Sequence, residues 1–208
     1  MDTTLETYTD LARHILDRPA RLGRTRLVAV DGPSGAGKTV FAGRLAAAVG
    51  QLVGPAYEGR PPVVHTDDLL DGWADQLTFW PRLERWVLEP LRSGRPGRYR
   101  RYSWVHHEFT GRWFAVDPAP VVILEGASTA RASIRPELTF AVFLTAPAAL
   151  RRARTLARDG GALAPYLDEW RRVEETHFCA DATPDHADIV VDGGAAPRHP
   201  ATTYVRVR

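Results

Sequence analysis

The stretch Gly32–Thr39, GPSGAGKT, constrains this chain more than any other. The apolar run RLVAV precedes it, ending at Asp31, and the helix-like segment TVFAGRLAAAVG follows it, closed by Gly50. A strand, a glycine-rich turn and a helix in that order aim backbone N–H groups and a helix N-terminus at one point, which makes an anion cradle. The eight residues fit G-x-x-x-x-G-K-[ST], a pattern whose test is this strand-before, helix-after context. Lys38 is also the only lysine of the chain: 27 Lys+Arg less that one leaves 26 arginines. A compact ammonium on a thin stem can run along such a loop to phosphate oxygens, where a planar guanidinium is too broad. Gly32, Pro33, Ser34, Gly35, Ala36 and Gly37 would wrap a polyphosphate. Lys38 would then reach its outer phosphates, and the Thr39 hydroxyl would face Mg2+.

Four further apolar runs, VVH (63–65), VVILEG (121–126), TFAVFLTA (139–146) and ADIVVDG (187–193), are separated by helical or irregular segments. That pattern predicts five parallel strands with helices on both faces of the sheet. Helices are expected over 80–91, 147–158 and 163–177. An amphipathic helix is expected within residues 1–20, carried by Leu5, Tyr8, Leu11, Ala12, Ile15 and Leu16. Residues 195–208 read as a loosely held tail. With 208 residues and 44% hydrophobic content, one domain spanning 1–208 is expected.

Composition narrows the function. A net charge of +2 is not that of a dedicated nucleic-acid binder. The single Cys179 permits neither an internal disulfide nor a multi-cysteine zinc site. The polar N-terminus does not resemble a signal peptide, and no apolar run is long enough to cross a bilayer, so a cytoplasmic chain without membrane partners is expected.

Asp67 and Asp68, at the end of the second strand, and Glu125, at the end of VVILEG, should face the same crevice as Lys38, because ligands of open parallel sheets sit beyond the carboxyl ends of the strands. Asp67 is the candidate general base for an attacking hydroxyl and a candidate Mg2+ ligand, and Glu125 is a candidate Mg2+ ligand with Thr39. Asp68 reads equally well as a helix N-cap. On the helix after residue 147, Arg154 and Arg158 lie four apart on one face and form, with Arg151, a candidate phosphate clamp, while Arg152 points to solvent. The run Arg92, Arg95, Arg98, Arg100, Arg101 reads as a solvated hairpin.

From about Arg26 to Gly194 the chain resembles the uridine kinase family of P-loop kinases, which includes phosphoribulokinase and pantothenate kinase relatives. The resemblance lies in the loop, in HTDD, in Tyr102 followed five residues later by His107 within LRSGRPGRYRRYSWVHH, in VVILEG, in LRRARTLARDG and in ADIVVDGG. It implies a P-loop NTPase three-layer sandwich with an arginine-rich lid (147–162) and an acceptor-binding insertion (92–114). It further implies ATP and Mg2+, Asp67 as base, and Tyr102 and His107 against a nucleobase. The family's ribose-binding carboxylate has no aligned counterpart, since WADQLTFWPRL replaces its segment; Asp71 and Asp75 are the candidates, with Asp71 as the candidate substrate-binding residue. Ser103 stands where the family has aspartate. The expected reaction is transfer of the γ-phosphoryl group of ATP to a small-molecule hydroxyl, most readily the 5′-hydroxyl of uridine or cytidine, by a chain that could form homo-oligomers. Two rivals remain. A nucleoside monophosphate kinase would need a cationic acceptor pocket, for which Arg98–Arg101 are available. An ATP-dependent switch would hydrolyse ATP only with a partner, and a guanine-specific one is excluded because its N/T-K-x-D motif needs a second lysine.

Overall fold

The computed structural model describes residues 3–54, 60–195 and 199–208. In chain order it contains β1 (Thr4–Thr7), α1 (Tyr8–Asp17), β2 (Arg26–Asp31), α2 (Lys38–Val53), β3 (Val63–His65), α3 (Trp80–Leu83) and α4 (Glu89–Arg92). There follow β4 (Gly97–Ser103), β5 (Glu108–Val116), β6 (Val121–Glu125), β7 (Leu138–Thr145), α5 (Ala148–Asp159), α6 (Ala164–Asp181), α7 (Thr183–His186), β8 (Ile189–Asp192) and β9 (Thr203–Arg206). The turn between α3 and α4, Glu84–Leu88, is π-wound, so 80–92 is nearly one helix. Pro90 inside it removes an N–H that a regular α-helix would have used.

The main sheet runs β1-β9-β8-β7-β2-β6-β3. Its β8, β7, β2, β6 and β3 are parallel, the five strands expected, and each is an apolar run because both faces are covered. Along β2 the side chains alternate between two cores. Val28 and Val30 meet Tyr8, Ile15, Phe41 and Leu45 of α1 and α2. Leu27 and Ala29 meet Leu83, Val87 and Leu91 of the 80–92 helix. This is the three-layer α/β sandwich of P-loop kinases.

Two edge elements differ from expectation. Leu5 belongs to strand β1, and the first helix starts only at Tyr8, where Thr7 Oγ1 accepts the Asp10 N–H at 3.0 Å as an N-cap. Nor is the chain end loose. β9 pairs with β1 from Thr203 to Arg206, and Tyr204, 6% exposed, packs on Tyr8 and Phe41. β4 and β5 form a separate antiparallel hairpin.

In-register pairing brings the strand ends together: Val30 opposite Glu125, and Glu125 opposite His65. The fully buried Asp31 then fastens two loops to each other. It accepts from the Gly32 N–H at 2.7 Å, the Ser128 N–H at 2.9 Å and the Ala130 N–H at 2.8 Å. Burial pushes its carboxyl up to about 7, against these N–H donors, which favour the ionised form. Between about pH 4 and 7 the folded chain therefore keeps a proton that the unfolded chain has lost, and this contribution to stability fades as pH rises through that window. Asp31→Asn should abolish the slope and also cost about 1–3 kcal/mol, because an amide N–H2 turned toward N–H donors leaves one unsatisfied. Urea denaturation across pH 4–8 checks both effects.

Among the described residues no helix is long and apolar enough to cross a membrane.

Candidate active site

Gly37, with φ +99°, ends the turn, and α2 starts at Lys38, so the first free N–H groups of a 16-residue helix point into the loop. Gly35, at φ +79°, is needed for space as well as conformation: a Cβ there would lie 2.5 Å from the Arg151 carbonyl oxygen at the start of α5. Lys38 Nζ donates to the Pro33 carbonyl at 3.3 Å, folded back along the loop. Thr39 Oγ1 donates to Glu125 Oε1 at 3.2 Å, and the other oxygen, Oε2, lies 2.6 Å from His65 Nδ1. The Glu125 bond raises the His65 pKa although burial opposes it. His65 was not foreseen; its signal is its place opposite Glu125 in the sheet register.

Asp67 sits in a short helical turn, Thr66–Leu69, beyond β3. The residue is exposed, while desolvation by the surrounding protein raises its carboxyl to about 6, opposed by Lys38, reinforced by Glu125 and Glu174, and opposed again by Arg158. Asp67 therefore feels the charges of the loop lysine, of two carboxylates and of Arg158 on α5. Gly126, at φ +145°, lets the chain turn here, since a Cβ would stand 1.8 Å from Thr66 Oγ1. Asp68 is not a helix cap: it pairs with Arg101 Nε at 3.1 Å and so ties the hairpin to the end of β3.

The arginines of α5 divide. Arg154 Nη1 bridges the Gly35 and Gly193 carbonyls at 3.1 and 3.0 Å. Arg158 pairs with Asp159 at 2.7 Å, and that bond, with smaller contributions from Asp67 and Glu125, raises its pKa. Arg151 is likewise held by a backbone carbonyl, its Nε donating to that of Ala146 at 3.1 Å, so the three do not form one clamp. Arg152 is exposed and reaches Asp168 at 3.5 Å.

Tyr102 is buried edge-on against Trp104 and Phe109, at 5.3 and 5.4 Å. Trp73 then links Trp104 at 5.0 Å to Tyr166 at 5.5 Å and Trp170 at 5.7 Å on α6. A Cβ at Gly72 would lie 3.6 Å from the Tyr102 hydroxyl, and the residue before it, Asp71, is exposed. Asp75 is already engaged by Arg82 at 2.7 Å, by Thr78 and by the Asp71 N–H at 2.9 Å. His107 is not brought against Tyr102: it stands in the exposed hairpin turn at φ +55°.

Buried Glu174 of α6, also unforeseen, accepts from the Ser34 N–H at 3.0 Å, the Ser34 hydroxyl at 2.6 Å and Trp170 Nε1 at 2.9 Å. Beside the loop, α1, α2, β9 and the ends of β7 and β8 line an open 400 Å³ cavity, with Tyr8, Arg44, Leu144, Arg154, Gly193 and Tyr204 among its walls.

A uridine kinase of Staphylococcus epidermidis (RP62A) is 25% identical over 198 residues, 84% of this chain and 91% of that protein. In sequence the chain is similar to uridine kinases. Uridine kinases of Klebsiella pneumoniae (MGH 78578) and Cronobacter sakazakii are 30% and 28% identical over 118 residues, and the chain spans about half, 55%, of the length of these relatives. No family model matches. Among solved structures, one from Bacillus stearothermophilus, described as a possible uridine kinase, aligns with TM-score 0.62 at 19% identity, over 88% of this chain and 96% of its own. Another from Silicibacter sp. TM1040, provisionally described as a fructose transport system kinase, aligns with TM-score 0.62 at 20% identity, over 83% and 95%. These structures show the fold that the chain shares.

Proposed function

We propose that the protein is a kinase that moves the γ-phosphoryl group of ATP to a small-molecule hydroxyl, with the 5′-hydroxyl of uridine or cytidine as the leading acceptor. The observation that carries this is the convergence of Lys38, Thr39, Glu125, Asp67 and Arg158 at the carboxyl ends of the strands, around a loop built to hold phosphates.

The triphosphate lies along the loop and the N-terminus of α2, and the adenine enters the 400 Å³ cavity beside Arg44 and Arg154. Lys38 leaves the Pro33 carbonyl for the β- and γ-phosphate oxygens. A hydroxyl and a carboxylate 3.2 Å apart are hard oxygen donors suited to Mg2+, which needs few protein ligands when phosphates supply the rest. Thr39 and Glu125 would hold that ion, Asp67 is within its neighbourhood, and His65 keeps Glu125 oriented. When bound, Mg2+ neutralises phosphate charge. Asp67 aligns the acceptor hydroxyl. The hydroxyl oxygen forms the new bond to the γ-phosphorus as the bond to the β-phosphate oxygen breaks and ADP leaves, and Asp67 takes the proton late. A carboxyl near 6 is ionised at neutral pH yet more basic than an ordinary aspartate. Arg158 faces the charge that develops.

The acceptor's base is assigned to the Tyr102–Trp104–Trp73 surface, and Asp71 to its ribose hydroxyls. The monophosphate reading is less supported, because its arginines are engaged elsewhere: Arg98 and Arg100 stack on Trp113 at 4.7 and 5.1 Å, and Arg101 pairs with Asp68. Trp104→Leu is expected to raise the acceptor KM about tenfold while leaving that for ATP unchanged, since stacking on a base contributes about 1–3 kcal/mol. The function is tested by ADP release with ATP and Mg2+ across uridine, cytidine, their monophosphates, pantothenate and sugars. Release with uridine or cytidine is expected; release with another hydroxyl compound alone would refute the nucleoside assignment.

A further inference from the structure

Glu174 has no part in the reaction just described, yet it is 1% exposed, on α6, with its carboxylate against the phosphate loop. Among the described residues no Lys, Arg or His nitrogen comes within 4.0 Å of it. Its partners are neutral donors: the Ser34 N–H at 3.0 and 3.1 Å to the two oxygens, the Ser34 hydroxyl at 2.6 Å and the Trp170 indole N–H at 2.9 Å. A buried charge without a counter-ion is costly unless hydrogen bonds replace its water, and these do. The Ser34 N–H belongs to the very loop whose N–H groups gather anions, so the chain has placed an anion of its own on the cradle.

We infer that Glu174 competes with the triphosphate for the phosphate loop, so that ATP must overcome or displace this carboxylate to bind. The inference rests on the loop being an ATP site. A triphosphate brings several negative charges into a partly desolvated cleft that already holds Glu174, and like charges there repel far more strongly than in water. A carboxylate that served only to brace Ser34 would have the opposite effect: its loss would loosen the loop and weaken nucleotide binding. The sign of the change therefore separates the two roles. Glu174 also accepts from Trp170, which packs on Trp73.

The test is calorimetric binding of a non-hydrolysable ATP analogue with Mg2+ to the full chain, to Glu174→Gln and to Ser34→Ala. Glu174→Gln keeps the shape and one acceptor oxygen, enough for the Ser34 and Trp170 donors that meet at Oε1, but removes the charge, and should bind about tenfold more tightly than the unaltered chain. Ser34→Ala removes one anchor of the carboxylate and should shift the affinity the same way by a smaller factor. Equal or weaker binding by a folded Glu174→Gln overturns the inference. If that variant does not fold, Ser34→Ala decides, and equal or weaker binding overturns it likewise. Failure of the unaltered chain to bind the analogue at all, matching Lys38→Ala, would instead refute the ATP site and the inference with it.

Discussion

Asp67→Asn should lower kcat about 10²–10⁴-fold, the range supplied by a positioned acid or base, while ATP binds as well as before or better. The amide keeps the shape of the carboxylate and cannot take the acceptor's proton. It also removes a negative charge from a cleft that contains Glu125 and Glu174, both of which push the Asp67 carboxyl up. Loss of turnover with retained nucleotide affinity, measured by single-turnover kinetics beside calorimetry, marks Asp67 as acting on the acceptor. Equal losses in both would mean that it only supports the loop.

Lys38→Ala is expected to cost about 10²–10³-fold in kcat, the usual effect of deleting one preorganised donor to developing charge, and to weaken ATP binding as well. Lys38→Arg is the sharper variant. The ammonium lies folded along the loop, 3.3 Å from the Pro33 carbonyl. A guanidinium keeps the charge but is broad and planar, so arginine should rescue little. Near-normal turnover with arginine would contradict the sliding role given to this single lysine.

The centre of the fold could be read from residues because it is decided locally. Each of the five parallel strands is an unbroken apolar run, as burial on both faces demands, and the glycines of the loop mark a turn only they can make. The edges could not. Thr4–Thr7 and Thr203–Arg206 are short and of mixed polarity, and they become strands by pairing with each other across the length of the chain. The site divides in the same way. Lys38, Thr39, Asp67 and Glu125 stand at strand or helix ends, where a linear pattern places them. His65 becomes meaningful only through the register that sets it opposite Glu125. Glu174 lies 140 residues from Ser34 in a segment, EWRRVEETHF, whose charges read as a solvated face. Arg151 shares the helix of Arg154 and Arg158, but the carbonyl of Ala146 captures it. Between the two aspartates weighed for the ribose, the choice turns on Arg82 and Thr78, which occupy Asp75.

The most direct test follows the phosphorus itself by 31P NMR, in a mixture of the protein, ATP, Mg2+ and either uridine or cytidine. The account predicts that ADP appears together with a new phosphomonoester, with no equivalent amount of inorganic phosphate, and that neither appears with Asp67→Asn on the same timescale. ADP accompanied only by inorganic phosphate, or an unchanged ATP spectrum with both nucleosides, would contradict it.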